Sequence, residues 1–366
     1  MNGVINVMFP ERGLHTVILF VTSRCNAKCG TCFYWDELNR KGDLTFEEIR
    51  TLSETMPTFH DLLLSGGEPS LREELPEIVK LFYTRNGIRK IYFPTNGLKP
   101  ALIASMVDGI LCANPGLELY LNVSVDGLAE THDRVRGVPG NFERSLETIR
   151  AAEGLKPKHA ARLQLNVTSV ICADNYRELP ALARYFLENA SLDYHYFQII
   201  RGAPLDDTLK EDIPHAELRA LYGELARVGE VYASRQSEGR GFVRGWIRKT
   251  LFASTMSFHH RTQFENYTAG AEWKMPCTAG ETSIVIDYDG RVRACELREP
   301  LGNLRDWGCD FGEFWASSVR GTEVRSIARD KCFCTHVCFI HDSMRFSSRA
   351  KFVELPKSYL KRLNWA

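Results

Sequence analysis

Three cysteines stand within eight residues, Cys25-Asn-Ala-Lys-Cys29-Gly-Thr-Cys32, and Phe33-Tyr34-Trp35 follows directly. Thiolates are soft ligands that suit zinc or iron–sulfur clusters. A cubane cluster has four irons, so three cysteines leave one iron open to a substrate or cofactor. A closed structural zinc site needs a fourth ligand, and none is obvious nearby. Thr16-Val-Ile-Leu-Phe-Val21, just before, reads as a buried strand. The thiols therefore lie on the loop leaving a first strand, where α/β folds place their chemistry. A zinc knuckle or a set of buried free thiols is the plain alternative.

A second group follows far along the chain: Cys277, Cys295, Cys309, Cys332, Cys334 and Cys338, with Cys112 and Cys172 isolated, eleven cysteines in all. MNGVINVMFPERG lacks a basic stretch followed by a long apolar core, so it does not read as a signal peptide. Without one, so many cysteines argue for metal or redox sites in a reducing cytoplasm over disulfides. Lys+Arg and Asp+Glu are both 46, which gives no polycationic footprint for nucleic acid. No run of 18 apolar residues is present, so no membrane span is expected.

Elements to position these thiols alternate along residues 14–202. Thr45 with Glu48 reads as a capping box opening a helix. Asp61–Ser65 is a second strand, ending in Gly66-Gly67-Glu68-Pro69, and Pro69 opens a helix over 71–83. Further strands are expected at 88–93, 118–125, 163–171 and 194–200, with helices at 100–110, 141–152 and, capped by Asn175, up to 188. The fold class is α/β, a partial (β/α)6 TIM-like barrel, since six units are too few to close an eight-stranded one. Residues 1–13 form an N-terminal segment. Residues 203–276 read as a helical bridge with aromatic patches (Phe242, Trp246 and Phe252, then Phe264, Tyr267 and Trp273). Residues 277–345 read as a small β-hairpin and helical auxiliary cluster domain, turning at Tyr288-Asp289-Gly290, and 346–366 as a tail.

The triad, with Gly66-Gly67-Glu68 one βα unit later, resembles the signature of the radical S-adenosylmethionine (radical SAM) superfamily. That resemblance implies a [4Fe–4S] cluster on Cys25, Cys29 and Cys32, its open iron chelated by SAM. It implies cofactor contacts from Phe33 or Tyr34 near the adenine, and from Gly66, Gly67 and Glu68 around the methionyl amine. Ser124 and Asp126 at the end of strand four follow, with Arg136 or Arg144 for the carboxylate, and Asn96 and Asn166 if register allows. Packing, turn chemistry or a solvated surface is the plain alternative for these contacts. Gly290-x4-Cys295, with Cys277 before it and Cys332-Phe-Cys334-Thr-His336-Val-Cys338 after, resembles the auxiliary domain called SPASM or its shorter twitch form. Too few cysteines remain for two extra clusters. One auxiliary [4Fe–4S] cluster is expected, on Cys277, Cys295, Cys338 and either Cys332 or Cys334, with His336 packing or bonding to a sulfur and Cys309 a bystander. Structural zinc on the same thiolates is the alternative.

The expected activity is that of a radical SAM oxidoreductase. Reductive cleavage of SAM yields a 5′-deoxyadenosyl radical, which takes a hydrogen atom from an unactivated carbon of a small-molecule substrate. A low-potential donor such as flavodoxin or ferredoxin supplies the electron. If the net reaction is an epimerisation, Cys172 or Cys309 would be the hydrogen donor. The alternatives are a maturase acting on a ribosomal peptide and a non-catalytic zinc- or cluster-binding protein.

Overall fold

Strands with two different faces build the frame. The computed structural model describes residues 12–239 and 241–365, so all but the last two positions of the expected N-terminal segment 1–13 lie outside the described residues. β1 (Thr16–Thr22), β2 (Asp61–Gly66), β3 (Lys90–Thr95), β4 (Glu118–Ser124), β5 (Leu163–Ile171) and β6 (Tyr194–Ile199) pair in chain order, all parallel. β6 ends the sheet and does not return to β1. The six strands make an open partial barrel. Along β3 and β4 burial alternates strictly. Ile91, Phe93, Leu119, Leu121 and Val123 are fully buried in the main core. Each such side chain contributes about 1.5–3 kcal/mol through burial. Their neighbours Tyr92, Tyr120, Asn122 and Ser124 face a cavity inside the barrel.

The outer helices are α1 (Phe46–Thr55), α2 (Leu75–Arg85), α3 (Pro100–Ala113), α4 (Ala129–Arg136), α5 (Asn141–His159) and α6 (Leu179–Asn189). The Thr45–Glu48 capping box forms, with the Thr45 N–H donating to Glu48 Oε2 at 2.7 Å and the Glu48 N–H to Thr45 Oγ1 at 3.2 Å. Pro69 opens only a 3₁₀ turn, Pro69–Leu71, and α2 starts later, where Pro76 occupies its first turn. Asn175 does not cap α6. Its Nδ2 donates to the carbonyls of Asp126 and Val170, tying β4 to β5. Pro180 sits in the first turn of α6 instead. α4 has no counterpart in the sequence reading, because it is short and buries only His132 and Val135.

The bridge is two long helices, α7 (His215–Arg235) and α8 (Phe242–Ala269), and α8 runs through both aromatic patches except Trp273. α8 closes part of the open side of the barrel, with Phe252, Met256 and His259 reaching the cavity. Beyond it, β7 (Ser283–Ile286) and β8 (Arg291–Arg293) form the expected hairpin, and Gly290 adopts φ +87° in the turn. β7 also pairs in parallel with β1, and β9 (Gly302–Asn303) follows β8, so one nine-stranded sheet runs from the barrel into the cysteine-rich module. The last helices are α9 (Phe311–Ala316), α10 (Ser318–Arg329), α11 (Val337–Arg345) and α12 (Leu355–Leu360). Asp342 of α11 is buried and accepts hydroxyl donors from Thr16, Thr278 and Thr282, which locks α11 to β1. Among the described residues no helix is long and apolar enough to cross a membrane.

Candidate active site

The cysteine loop is fixed by contacts that its sequence makes possible. The Cys25 N–H donates to Asn39 Oδ1 at 3.0 Å, the Cys32 N–H to the Cys29 carbonyl at 3.1 Å, and the Gly30 N–H to Val135 at the end of α4 at 2.8 Å. Gly137 ends α4 in the left-handed region at φ +64°, and a Cβ there would lie 2.4 Å from the Lys28 carbonyl. Only glycine allows that approach, and it brings Arg136 onto the loop. Arg136 Nη1 lies 3.4 Å from Cys29 Sγ, and its Nε pairs at 2.8 Å with Asp126, which is fully buried and also accepts the Val170 N–H at 2.7 Å. Asp126 thus aims the guanidinium at a sulfur. Arg144 sits on the exposed face of α5, paired with Glu147, away from the loop.

The thiols are spread more widely than a lone zinc ion needs. Burial pushes Cys25 up to about 11 and Cys32 up to about 12, and the charge of Cys29 adds to both. Such a set becomes stable as thiolates when a cationic centre sits among the sulfurs. Tetrahedral zinc, with Zn–S near 2.3 Å, needs sulfurs about 3.8 Å apart. Among the described residues the groups of three ligand atoms lying within 4.8 Å of one another are His15–His60–Asp61 and Asp108–Cys112–His159, neither of which includes these thiols.

At the end of β2, Gly66 and Gly67 let this strand's exit lie against that of β1. Cβ atoms there would meet Thr22 O at 2.3 Å and Arg24 O at 2.1 Å. Glu68 is buried and already engaged. Oε1 accepts from the Ser70 N–H, the Ser70 hydroxyl and the Thr95 hydroxyl, and Oε2 accepts the Asn96 N–H at 2.7 Å. Burial pushes this carboxyl up while those donors pull it back. Its visible work is to bind the exits of β2 and β3 together. Asn96 continues the chain of contacts, donating to Asn26 Oδ1 inside the cysteine loop at 2.8 Å.

Phe33 lies under Arg201, whose guanidinium carbon is 4.6 Å from the ring centroid. Tyr34 turns the other way. It packs on Phe20 and Tyr288 in the seam between β1 and the module. That seam is a packing site, and of the two aromatics Phe33 remains beside the mouth. Ser124 and Asn166 line the cavity, and Asn166 is buried with its Nδ2 unpartnered.

The second thiol group gathers where β8 ends and α11 begins. Leu297 N–H donates to Cys295 Sγ at 3.3 Å and His336 N–H to Cys334 Sγ at 3.4 Å. Burial pushes Cys277 up to about 11 and Cys334 up to about 12. The His336 ring does not meet a sulfur. Nδ1 accepts the Cys338 N–H and Nε2 meets Glu296, so both nitrogens are used. Cys309 packs in the main core. Cys172 is also buried, and neither thiol lines the cavity.

Two features escape a sequence reading. Arg201 pairs with Glu296 at 3.2 Å, and Glu296 meets His336, so one buried network joins the exit of β6 to both cysteine regions. Its members lie 135 residues apart at the extremes, beyond any motif. The other is the cavity of about 1370 Å³ inside the barrel. It had a signal: aromatic and polar residues at every second strand position, Tyr120-x-Asn122-x-Ser124, Gln164-x-Asn166-x-Thr168 and Tyr194-x-Tyr196-x-Gln198. That is the pattern of strands whose inner face meets a ligand and not a core.

An open α/β barrel with a three-thiol loop at its strand ends defines an iron–sulfur enzyme of the radical type. The chain belongs to the radical SAM superfamily, whose profile matches residues 19–184. It is 30% identical over 308 residues to the AdoMet-dependent heme synthase of Methanosarcina barkeri, covering 81% of each chain. It is 27% identical over 323 residues to the Fe-coproporphyrin III synthase of the same organism, covering 84% of this chain and 75% of the relative. Among solved structures, anSMEcpe with bound AdoMet and Cp18Cys peptide superimposes with a TM-score of 0.60 at 17% identity, covering 96% of each chain. S-adenosylmethionine and a [4Fe–4S] cluster are the cofactors of this superfamily and of this chain.

Proposed function

We propose that this chain is a radical SAM oxidoreductase that removes a hydrogen atom from an unactivated carbon of a small molecule bound in the barrel cavity, assisted by one auxiliary [4Fe–4S] cluster. When bound, the first cluster and SAM supply a one-electron reductive cleavage whose 5′-deoxyadenosyl radical takes that hydrogen. Cys25, Cys29 and Cys32 hold the cluster. Arg136, aimed by Asp126, offsets negative charge at Cys29. Gly66 and Gly67 bring the exit of β2 against the segment leading into the cysteine loop, Ser124 and Asn166 border the cavity beyond it, and Phe33 and Asn96 stand between the two, on Arg201 and Asn26. α8 screens that space from water, which keeps a reactive centre from side reactions. A reducing cytoplasm and a low-potential flavodoxin- or ferredoxin-type donor suit this chemistry.

The observation that carries the reading is the buried Asp126–Arg136–Cys29 contact, which orders an open three-thiol loop at the strand ends. For the substrate class we propose a planar tetrapyrrole carboxylate. The relatives are named as synthases of heme and of Fe-coproporphyrin III. The cavity has the volume for one, Tyr92 and Tyr120 stack at 4.7 Å on its wall, and Lys90 and Arg244 line it without an ion pair among the described residues. A peptide is the second reading, favoured by exposed Phe242, Val243 and Trp246 beside the mouth. The protein, anaerobically reconstituted with iron and sulfide, is given dithionite and SAM, with coproporphyrin III or its iron complex. 5′-Deoxyadenosine with a mass change in the porphyrin supports the proposal. Bound zinc without iron, or no cleavage and no SAM-induced change in the cluster's paramagnetic spectrum, sinks the radical reading. Cleavage with no porphyrin binding sinks only the substrate class.

A further inference from the structure

The cavity runs the length of the barrel. At the strand ends Ser124, Gln198 and Arg201 line it, and at the strand starts Asp61, Lys90 and Asp193 do. α8 sets what lies at that second end. It runs alongside β6 in the same direction, with the Phe252 ring 5.0 Å from that of Tyr194 and Gln263 Oε1 accepting the Ile199 N–H at 3.0 Å. The start of α8, Phe242 to Leu251, therefore lies past the strand starts, at the far end of the barrel from the cysteine loop. Arg248 donates to Gln236 Oε1 at 3.0 Å and Gln236 to the Asp193 carbonyl at 3.3 Å, which ties this segment to the start of β6.

The segment is apolar where a solvated helix is polar. Of the fifteen exposed large apolar side chains among the described residues, five fall within this stretch: Phe242, Val243, Trp246, Ile247 and Leu251. Phe242 is 91% exposed and Trp246 58%. Scattered apolar residues on a surface are ordinary, whereas a contiguous patch marks an interaction site. At 3.6 residues per turn these five occupy about half of the helix circumference, and Arg244, Arg248 and Lys249 occupy the rest. Residues 239–264 hold five cations and no Asp or Glu, in a chain whose net charge is zero. Lysine is depleted from contacts between proteins. Trp, Phe and Leu on one side of a helix with Arg and Lys on the other is the composition of helices that lie in the headgroup plane of a bilayer. Anionic headgroups are the complement of those cations. The same residues reach inward, since Phe242, Val243, Ile247 and Leu251 also line the cavity, so patch and cavity are continuous.

We propose that the start of α8, Phe242 to Leu251, docks this protein on an anionic lipid surface, and that the cavity end it borders is the entry for an amphiphilic, anionic substrate drawn from that surface. The docking stands on the patch alone, whereas the entry route rests on the functional reading above.

The test is flotation of the intact chain with vesicles of phosphatidylcholine alone, or of equal parts phosphatidylcholine and phosphatidylglycerol. Binding to the anionic vesicles only, weakened by high salt, is expected. Phe242→Ser/Trp246→Ser and Arg248→Gln/Lys249→Gln should each lower the affinity about tenfold, with helix content unchanged by circular dichroism. Lys80→Gln/Lys99→Gln, which removes two exposed cations elsewhere, should keep it. No binding by the wild-type chain, equal binding to both vesicles, or equal losses in all three variants overturns the docking. Binding unchanged in Phe242→Ser/Trp246→Ser overturns it too, and returns the patch to the peptide reading. A dimer in light scattering without lipid, which that variant makes monomeric, assigns the patch to a second copy of the chain instead. The entry route is tested with coproporphyrin III carried in the anionic vesicles. The ratio of transfer from vesicles to uptake from solution should fall about tenfold in Phe242→Ser/Trp246→Ser, and an unchanged ratio overturns the route. Failure to take up the porphyrin from either source removes the substrate class and not the docking.

Discussion

The two thiol regions solve the same problem in opposite ways. The front one packs three thiols into residues 25–32 on a single loop, and its order comes from neighbours on α4 and the strand ends. The rear one collects thiols from Cys277 to Cys338, across a hairpin and three helices, and its order comes from sheet pairing with β1 and from Asp342. The charges differ too. At the front a buried guanidinium, itself held by a buried carboxylate, stands at a sulfur. At the rear the donors identified at Cys295 and Cys334 are backbone N–H groups. The front site thus depends on one ion pair, while the rear depends on the whole fold of its module. A change that uncouples the two regions should therefore act on the front without erasing the rear.

The largest effect is expected from Cys25→Ala/Cys29→Ala/Cys32→Ala. Deoxyadenosine formation should fall to the level of the buffer, while about four irons per chain remain at the rear. Iron and sulfide analysis beside product assay checks both halves. Loss of all iron would mean that the rear site forms only when the front does. Next comes Asp126→Ala, which leaves the Arg136 charge buried and unpaired. Removing one partner of a buried pair costs about 3–5 kcal/mol, to be read from urea unfolding. Front-cluster loading should fall more than rear loading, and equal losses would show that the ion pair supports the fold at large.

How far the sequence disclosed all this follows the same contrast. The front thiols, Gly66-Gly67 and the capping box at Thr45 were legible because each is a local pattern with a local cause. Among the six strands, β1 was legible because it is buried at every position, and β3 and β4 because they alternate. Glu68 shows what spacing leaves unsaid: the motif marks it as an acceptor for an ammonium, and its contacts with Ser70, Thr95 and Asn96, which join the exits of β2 and β3, come from the fold. Tyr34 and Phe33 are adjacent in sequence and diverge because only one can fill the seam against Phe20. Asn175 looked like a cap and became a staple between strands, a role set by residues 49 positions away. At the rear, five cysteines at plausible spacings could not be sorted, since they are gathered by the pairing of β7 with β1 and by Asp342, contacts that no local spacing encodes.

A smaller effect is expected where the strand exits meet. Gly67→Ala would place a Cβ 2.1 Å from the Arg24 carbonyl, next to Cys25. Backbone atoms must move apart, and overpacking of this kind costs about 1–3 kcal/mol. The displaced segment carries the cysteine loop, so front-cluster iron should drop several-fold while rear iron is unchanged. Gly109→Ala is the control, since a Cβ there meets nothing within 4 Å. Equal iron in both variants would remove close approach of the strand exits from the account of the front site.

The smallest effect concerns the surface join between the regions. Arg305 of the module pairs with Glu48 of α1 at 2.6 Å. That guanidinium holds the Glu48 carboxyl down at about 2, with the Thr45 cap assisting against partial burial. A carboxylate with a depressed folded-state pKa stabilises above its unfolded value of about 4.3 and loses that contribution as pH falls toward its folded value. The pair is partly exposed, so it is worth about 0–1 kcal/mol. Glu48→Gln keeps the capping geometry and removes only the charge. It should cost no more than that at pH 7, and less than half as much at pH 3, by urea unfolding. Iron at both sites should be unchanged, because the strand pairing of β1 with β7 already joins the two regions. A loss of rear iron in Glu48→Gln would show that this bridge, and not the sheet, sets the position of the module.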